Sequence, residues 1–405
     1  MYKFLFIFLV ATLLKIQPLY SKDNNFNLNV GTSFNSKNTL GLYNKLRPPN
    51  KSNTNFNLVY SKRNLSSQLS LNFDDYNKIN FDNSYVNYDK GIAKLNIGKV
   101  NRIWAFSKKS SLILSSNSRP LETISLKLEN KFNTRWLPST ANWSFELINA
   151  STQNSLNGKN SMLSGTRFII SPSKKLNFEF LHTSQWGGQN DKLYTSSIDA
   201  LLFKNTNEGR KSNINRMAGF GLSYSLPLNK NTYRFYSQAI GEDEAGSLPS
   251  CLSWLVGLEL SAPNMKLPTT LTVEAIDTRV KTSTHGYCGP NSMYNNSVYS
   301  YINKDTVFGV PIDTEGTSLE LFGQSQLNKN TSINYSTKFM SINDKDYLQH
   351  RLSSKRSLGT ITSLGINWGK NGFDLGGSIG YQNIILDKAN ISNGTIFSLF
   401  TSVKF

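Results

Sequence analysis

The feature that most constrains this chain is a two-residue alternation that runs to its final atom. The last nine residues read FSLFTSVKF. A strand there puts Phe397, Leu399, Thr401, Val403 and Phe405 on one face and Ser398, Phe400, Ser402 and Lys404 on the other. Similar runs recur from Phe26 onward. A soluble sandwich of this length would show more fully apolar strands, yet the chain is only 38% hydrophobic with a mean hydropathy of −0.37. Charged residues make up only 17%, so Asn, Ser and Thr fill the polar positions. Such strands suit a sheet with lipid on one face and a polar lumen on the other. A membrane tolerates that sheet only when it is closed, because an open edge leaves backbone groups unpaired in hydrocarbon. In a closed sheet the last strand pairs with the first, which explains a chain that does not fray before Phe405. The fold expected is all-β: a closed antiparallel transmembrane β-barrel.

The N-terminus indicates export. Met1-Tyr2-Lys3 carries a positive charge and Phe4 to Leu14 is apolar, too short to span a bilayer but suited to the core of a signal peptide. Residues 1–21 are read as that signal and residues 22–405 as one barrel domain. The destination is the outer membrane of a Gram-negative bacterium. The formal net charge is +18, and loss of Lys3 and Lys15 with the signal leaves about +16. No Lys/Arg-rich block carries the aromatic spacing of an RNA-binding sheet, so no nucleic-acid partner is expected. In an exported barrel the basic excess points to anionic glycans or lipopolysaccharide phosphates.

Eighteen strands are expected, near 26–34, 54–61, 64–73, 82–88, 92–99, 122–132, 142–151, 161–170, 175–184, 214–226, 231–241, 253–261, 268–279, 316–327, 331–341, 358–368, 373–386 and 393–405. An even count returns both termini to the periplasm. Counting back from Phe405, alternate links are short: WGKNG, LNKNT, SAPNMKLP, LPLNKN and SPSKK, rich in Pro, Asn and Gly as tight turns require. The others, 101–121, 185–213, 242–252, 280–315 and 342–357, are long and face outside, where barrels keep their function. They are long enough to fold inward and partly plug the lumen, and 185–213 could hold a short helix. Cys251 and Cys288 lie in links flanking one hairpin, and an even pair in an oxidising compartment points to a disulfide.

Three stretches carry a family likeness: NRIWAFSKKSSLILSSNSRPLETISLKLEN at 101–130, LNFEFLHTSQWGGQN at 176–190, and IGEDEAGSLPSC followed by the tyrosine- and asparagine-rich segment after Asp277-Thr278-Arg279. In this order, over roughly residues 92–330, they resemble the Wzi family of capsule-assembly outer-membrane proteins. The resemblance implies an eighteen-stranded barrel that binds and helps assemble or anchor capsular or extracellular polysaccharide as a lectin-like protein. It implies neither an enzyme nor an export channel. The strand pattern starts at Phe26, so the helical bundle of the family looks absent here. The family's tryptophan motif usually continues with Gly or Pro, whereas Trp104 is followed by Ala105-Phe106-Ser107.

The residues themselves fit a glycan surface. Sugars present apolar faces and hydroxyl rims, met by aromatic planes and planar amides, and arginine forks suit acidic groups. The polysaccharide-binding residues expected are Trp104, Arg119, Trp186, Tyr287, Tyr294 and Asn295. The other basic residues of 101–121 (Arg102, Lys108 and Lys109) and of 342–357 (Lys345, Arg351, Lys355 and Arg356) stand beside them. The competing reading is that such aromatics pack the mouth of the barrel. No catalytic residue is expected: Glu242, Asp243 and Glu244 form a loop cluster of acids, solvated or paired with neighbouring basic loops, and His182, His285 and His350 lack metal-ligand spacing. Neither cofactor nor metal is expected, and the protein is read as a monomer in contact with outer-membrane lipids and lipopolysaccharide. The alternative function is a porin or substrate-specific channel.

Overall fold

The computed structural model describes residues 25–40, 52–74, 79–132, 136, 138–153, 160–187, 214–245, 248–282, 288–296, 299–303 and 306–405. The expected signal peptide and helix fall outside them. Eighteen strands form the main sheet. They are β1 Asn25–Asn35, β2 Ser52–Lys62, β3 Leu65–Asp74, β4 Tyr85–Lys90, β5 Ala93–Lys99 and β6 Glu122–Lys131. Next come β7 Asn142–Ser151, β8 Met162–Ser171, β9 Leu176–Trp186, β10 Asn215–Leu228, β11 Asn231–Gly241 and β12 Ser253–Ala262. The last six are β13 Thr269–Asp277, β14 Thr317–Asn328, β15 Thr331–Ile342, β16 Ser357–Lys370, β17 Phe373–Asn383 and β18 Gly394–Lys404. Three short pairings lie outside this ring: Ile79–Asn80 on β3, Asp243–Ala245 with Leu248–Ser250, and Ile302–Asn303 with Thr306–Val307.

Each strand pairs antiparallel with the next, and β1 pairs with β18, Val30 opposite Val403. The ring is closed. Phe405 is held by reciprocal backbone hydrogen bonds with Leu28, at 2.7 and 3.2 Å, so the ladder runs through the final residue. Short turns gather at one end with β1's start and β18's finish; the long links gather at the other. Asn371 and Gly372 both take positive φ, 52° and 80°, the geometry a two-residue hairpin needs to follow the twist of its strands.

Alternation decides what each face meets. On β12, Trp254, Val256 and Leu258 are exposed while Ser253, Leu255 and Gly257 are buried. On β14, Leu319 and Leu321 point out and Ser318 and Glu320 point in. Repeated around the ring, this leaves a belt of exposed Leu, Ile, Val and aromatic side chains that only lipid can cover.

The strand boundaries differ from the sequence reading mainly at the loop end. The strand expected at 82–88 is Tyr85–Lys90, because Ser84 and Asn83 bond back to Ser70 and form a loop instead. The strand expected at 373–386 ends at Asn383, beyond which Leu386 bridges Ile391 in a small loop of its own.

Candidate functional site

The link 100–121 lies inside the ring, and its contacts prove it. Arg102 donates to Asn96 of β5 and Ser125 of β6, and pairs with Glu146 of β7 at 3.1 Å. The carbonyl of Ala105 accepts from Arg167 of β8, and that of Phe106 from Arg234 of β11. Lys108 pairs with Glu259 of β12, Ser107 donates to Glu274 of β13, and Lys109 pairs with Glu320 of β14. One segment can touch inward side chains of so many strands only from within. The inward acids Glu146, Glu259, Glu274 and Glu320 give the wall a row of carboxylates, and the loop supplies cations and hydroxyls to meet them. A carboxylate buried without such partners would cost several kcal/mol.

The stretch Ser111-Leu112-Ile113-Leu114-Ser115 is buried throughout. Trp104 is 1% exposed; its indole N–H donates to Glu146 at 3.0 Å, and Gln238 donates to its carbonyl. Its ring lies over Gly165, where an added Cβ would stand 3.0 Å from it. The second inward link, 278–316, packs on the first. Tyr294 stacks on Tyr301, Tyr301 meets Phe308 edge-on, and the Tyr294 hydroxyl donates to the carbonyl of Leu112. Ser115 N–H donates to Phe308 O at 2.8 Å, zipping the two links together.

Glu242, just after β11, anchors this second link. Its carboxylate accepts from the Tyr294 N–H and from the Asn215 side chain. The residue retains some exposure, but the carboxylate itself is enclosed, and that desolvation raises its pKa to about 8. Alongside, Arg351 reaches from the 343–356 link to Asp313 and to Asn295, joining the links at the mouth. Cys251 and Cys288 are bonded to each other, with Cα atoms 5.2 Å apart.

The expected glycan residues therefore part company. Trp104 and Tyr294 are corrected: at 1% and 0% exposure they are interior packing, with no face left for a sugar. Arg102, Lys108 and Lys109 are likewise engaged with wall acids. Arg119 pairs with Asp82 at 2.6 Å but keeps 28% of its side chain exposed. Trp186 is half-buried, its indole N–H donating to Ser164. Asn295 is half-buried and bonded to Asn291 and Arg351. Tyr287 lies outside the described residues.

The open face at the loop end lies elsewhere. Lys345, Leu348, Gln349, Asn390 and Asn393 are exposed there, with Tyr347 half-buried among them. Sequence reasoning had taken only the charges from this link, although Tyr347-Leu348-Gln349 stands in it as an aromatic, an apolar and an amide side chain in a row. Asn343 fixes the turn by holding Tyr347 through both of its backbone groups, accepting from Tyr347 N–H and donating to Tyr347 O. The arrangement offers planar, amide and cationic groups to a polar ligand. Among the described residues no cluster of His, Cys, Asp and Glu could hold a metal ion.

Comparison with known proteins adds a third line. The family model "Capsule assembly protein Wzi" matches residues 18–388. A solved Escherichia coli structure, Wzi, an outer-membrane protein involved in group 1 capsule assembly and a carbohydrate-binding β-barrel, superposes with a TM-score of 0.79 at 22% identity, covering 95% of this chain and 85% of that one. Pseudomonas aeruginosa OprD superposes at 0.55 with 10% identity, covering 95% and 96%. A Klebsiella pneumoniae protein described as an uncharacterized 55.8 kDa protein in the cps region is 30% identical over 194 residues. That match takes in 47% of this chain and only 38% of the relative's length.

Proposed function

Because the chain belongs to the Wzi capsule-assembly family, we propose that it is a non-enzymatic outer-membrane lectin that holds capsular or extracellular polysaccharide at the cell surface. The observation that carries this reading is the division of the molecule. The links 100–121 and 278–316 turn inward, the first meeting side chains of β5 to β14, and the polar groups left open to a large ligand outside the cell stand at the loop end. Tyr347, Gln349, Asn390 and Lys345 present there the aromatic, amide and cationic chemistry that grips a sugar chain. Trp186, Arg119 and Asn295 stand beside the plug as its partly accessible margin. They serve as further contact residues, together with Tyr287. Deleting the gene should release polysaccharide into the medium while synthesis continues. Retention of polymer on the cells at the wild-type level would refute the anchoring role.

One observation favours a channel. Facing the lumen, β16 to β18 present chiefly small groups, among them Ser363, Gly365, Gly376, Ser378, Gly380 and Ser398, and the plug makes its main contacts on the opposite wall. Purified protein in a planar bilayer separates the readings. The anchor predicts little or no unitary conductance, and a stable, large conductance would favour a channel.

A further inference from the structure

Much of the chain's positive charge stands at the end opposite its proposed ligand. At the loop end the arginines are matched, Arg119 with Asp82, Arg279 with Asp277 and Asp344, Arg351 with Asp313, Arg356 with Asp344, while Lys281, Lys345, Lys355 and Lys388 stand exposed among these acids. At the turn end few basic residues are so matched. Nine strands run toward that end. Five of them, β2, β4, β6, β16 and β18, finish on a lysine, and each of the other four is followed within its turn by one or more: Lys174 and Lys175 after β8, Lys230 after β10, Lys266 after β12, Lys329 after β14. All of these are exposed, as is Arg63. Among the described residues at this end the acids are few. Asp89 and Glu129 are already engaged by Lys94 and Lys127, which leaves Asp374.

We propose that this ring of cations binds anionic phospholipid headgroups of the membrane leaflet on the turn side, an annulus of acidic lipid around the barrel. Two features of the geometry select a lipid over a soluble polyanion. First, the charges sit at or just past every descending strand, and although Lys131 and Lys404 fall on the lumen side of the alternation, those of the other seven strands still surround most of the circumference. A polymer or a protein partner would engage one sector and leave the rest idle, whereas a leaflet meets the barrel on all sides. Second, the cations lie just beyond outward apolar and aromatic side chains, among them Phe26, Tyr88, Tyr224, Leu228, Trp368 and Phe373, all exposed to the space that acyl chains fill. A ligand that must satisfy an apolar flank with a cation past its end is an anionic amphiphile. Lysine suits the task because its stem lies along apolar surface while its ammonium reaches the headgroup layer. The inference stands apart from the glycan reading, since it concerns the opposite end of the barrel.

The test uses the full-length mature protein in nanodiscs of phosphatidylcholine containing a minor share of phosphatidylglycerol, with the lipids that remain bound measured by native mass spectrometry. The wild type should enrich phosphatidylglycerol at least about twofold over its share of the bilayer, and salt should weaken the enrichment. Lys→Gln substitution at Lys174, Lys175, Lys230 and Lys266 should reduce it. A second variant at Lys62, Lys90, Lys329 and Lys370 should do the same, so that a folding failure of one does not decide the matter. A control that removes loop-end charge, Lys281 and Lys388 to Gln, should leave it unchanged. Equal retention of the two lipids, or equal loss in turn and loop variants, would overturn the proposal. Turn-dependent binding of soluble polygalacturonate with no phosphatidylglycerol preference would overturn it in favour of an acidic polymer.

Discussion

Trp104 shows how one side chain can look like a ligand contact in sequence and be a keystone in space. Its ring fills the notch over Gly165, its N–H satisfies Glu146, and its carbonyl takes the Gln238 amide. Trp104→Ala should cost about 3–5 kcal/mol, the usual loss for truncating a large buried aromatic. It would also strip Glu146 Oε2 of its indole donor, leaving Arg102 on Oε1 as the remaining partner of that carboxylate. Thermal unfolding in detergent should show a lower midpoint, with the strand signal retained below it. Glu242 makes a pH prediction. Its pKa is raised from the ordinary 4.5 to about 8 by burial, so the docked link favours the protonated form. Docking is then strongest below the ordinary glutamate pKa and weakens as pH climbs through about 8. Hydrogen exchange over residues 288–316 should be slower at pH 5 than at pH 9 after correction for intrinsic rates. Glu242→Gln should flatten the difference, and an unchanged pH dependence in that variant would contradict the assignment.

At the scale of elements, the strands were legible because each must keep period two to satisfy lipid and lumen at once. Their turns were legible because Asn-Gly, Pro and Lys-Asn stretches have few other uses. The inward course of 100–121 was read only as a capacity to plug. Its cations seemed free because no acid lies inside the loop; their partners, Glu146, Glu259 and Glu320, sit on distant strands that alternation alone does not bring to one loop. Tyr294 and Trp104 were misread for the same reason. Nothing in SLILSSNSRP says whether its apolar residues face lipid, sugar or the chain itself until the ring is closed around it. The cysteine pair was legible from compartment and spacing. Its bridge should stabilise by roughly 3–4 kcal/mol in the chain-entropy picture, by closing the loop between the two links. Cys251→Ser with Cys288→Ser should make 278–316 more sensitive to protease from outside the cell, while strand content stays constant. Equal protease resistance with and without the bridge would show that it does not hold the mouth.

The whole molecule is a closed ring with links turned into it from one end. Labelling of intact cells should reach a cysteine placed at Lys345 but not one at Asn371, since those positions lie at opposite ends of the ring. The proposed function requires that the loop end grip the cell's own surface polysaccharide. The most direct measurement is binding of that purified polysaccharide to folded protein, at low and physiological salt. Wild type should bind, more weakly as salt rises where charge contributes, because exposed charges are screened over about 8–10 Å. Combined Tyr347→Ala and Gln349→Ala should lower the affinity while leaving thermal stability intact. No binding of the polysaccharide by the folded wild type at either salt concentration would contradict the account.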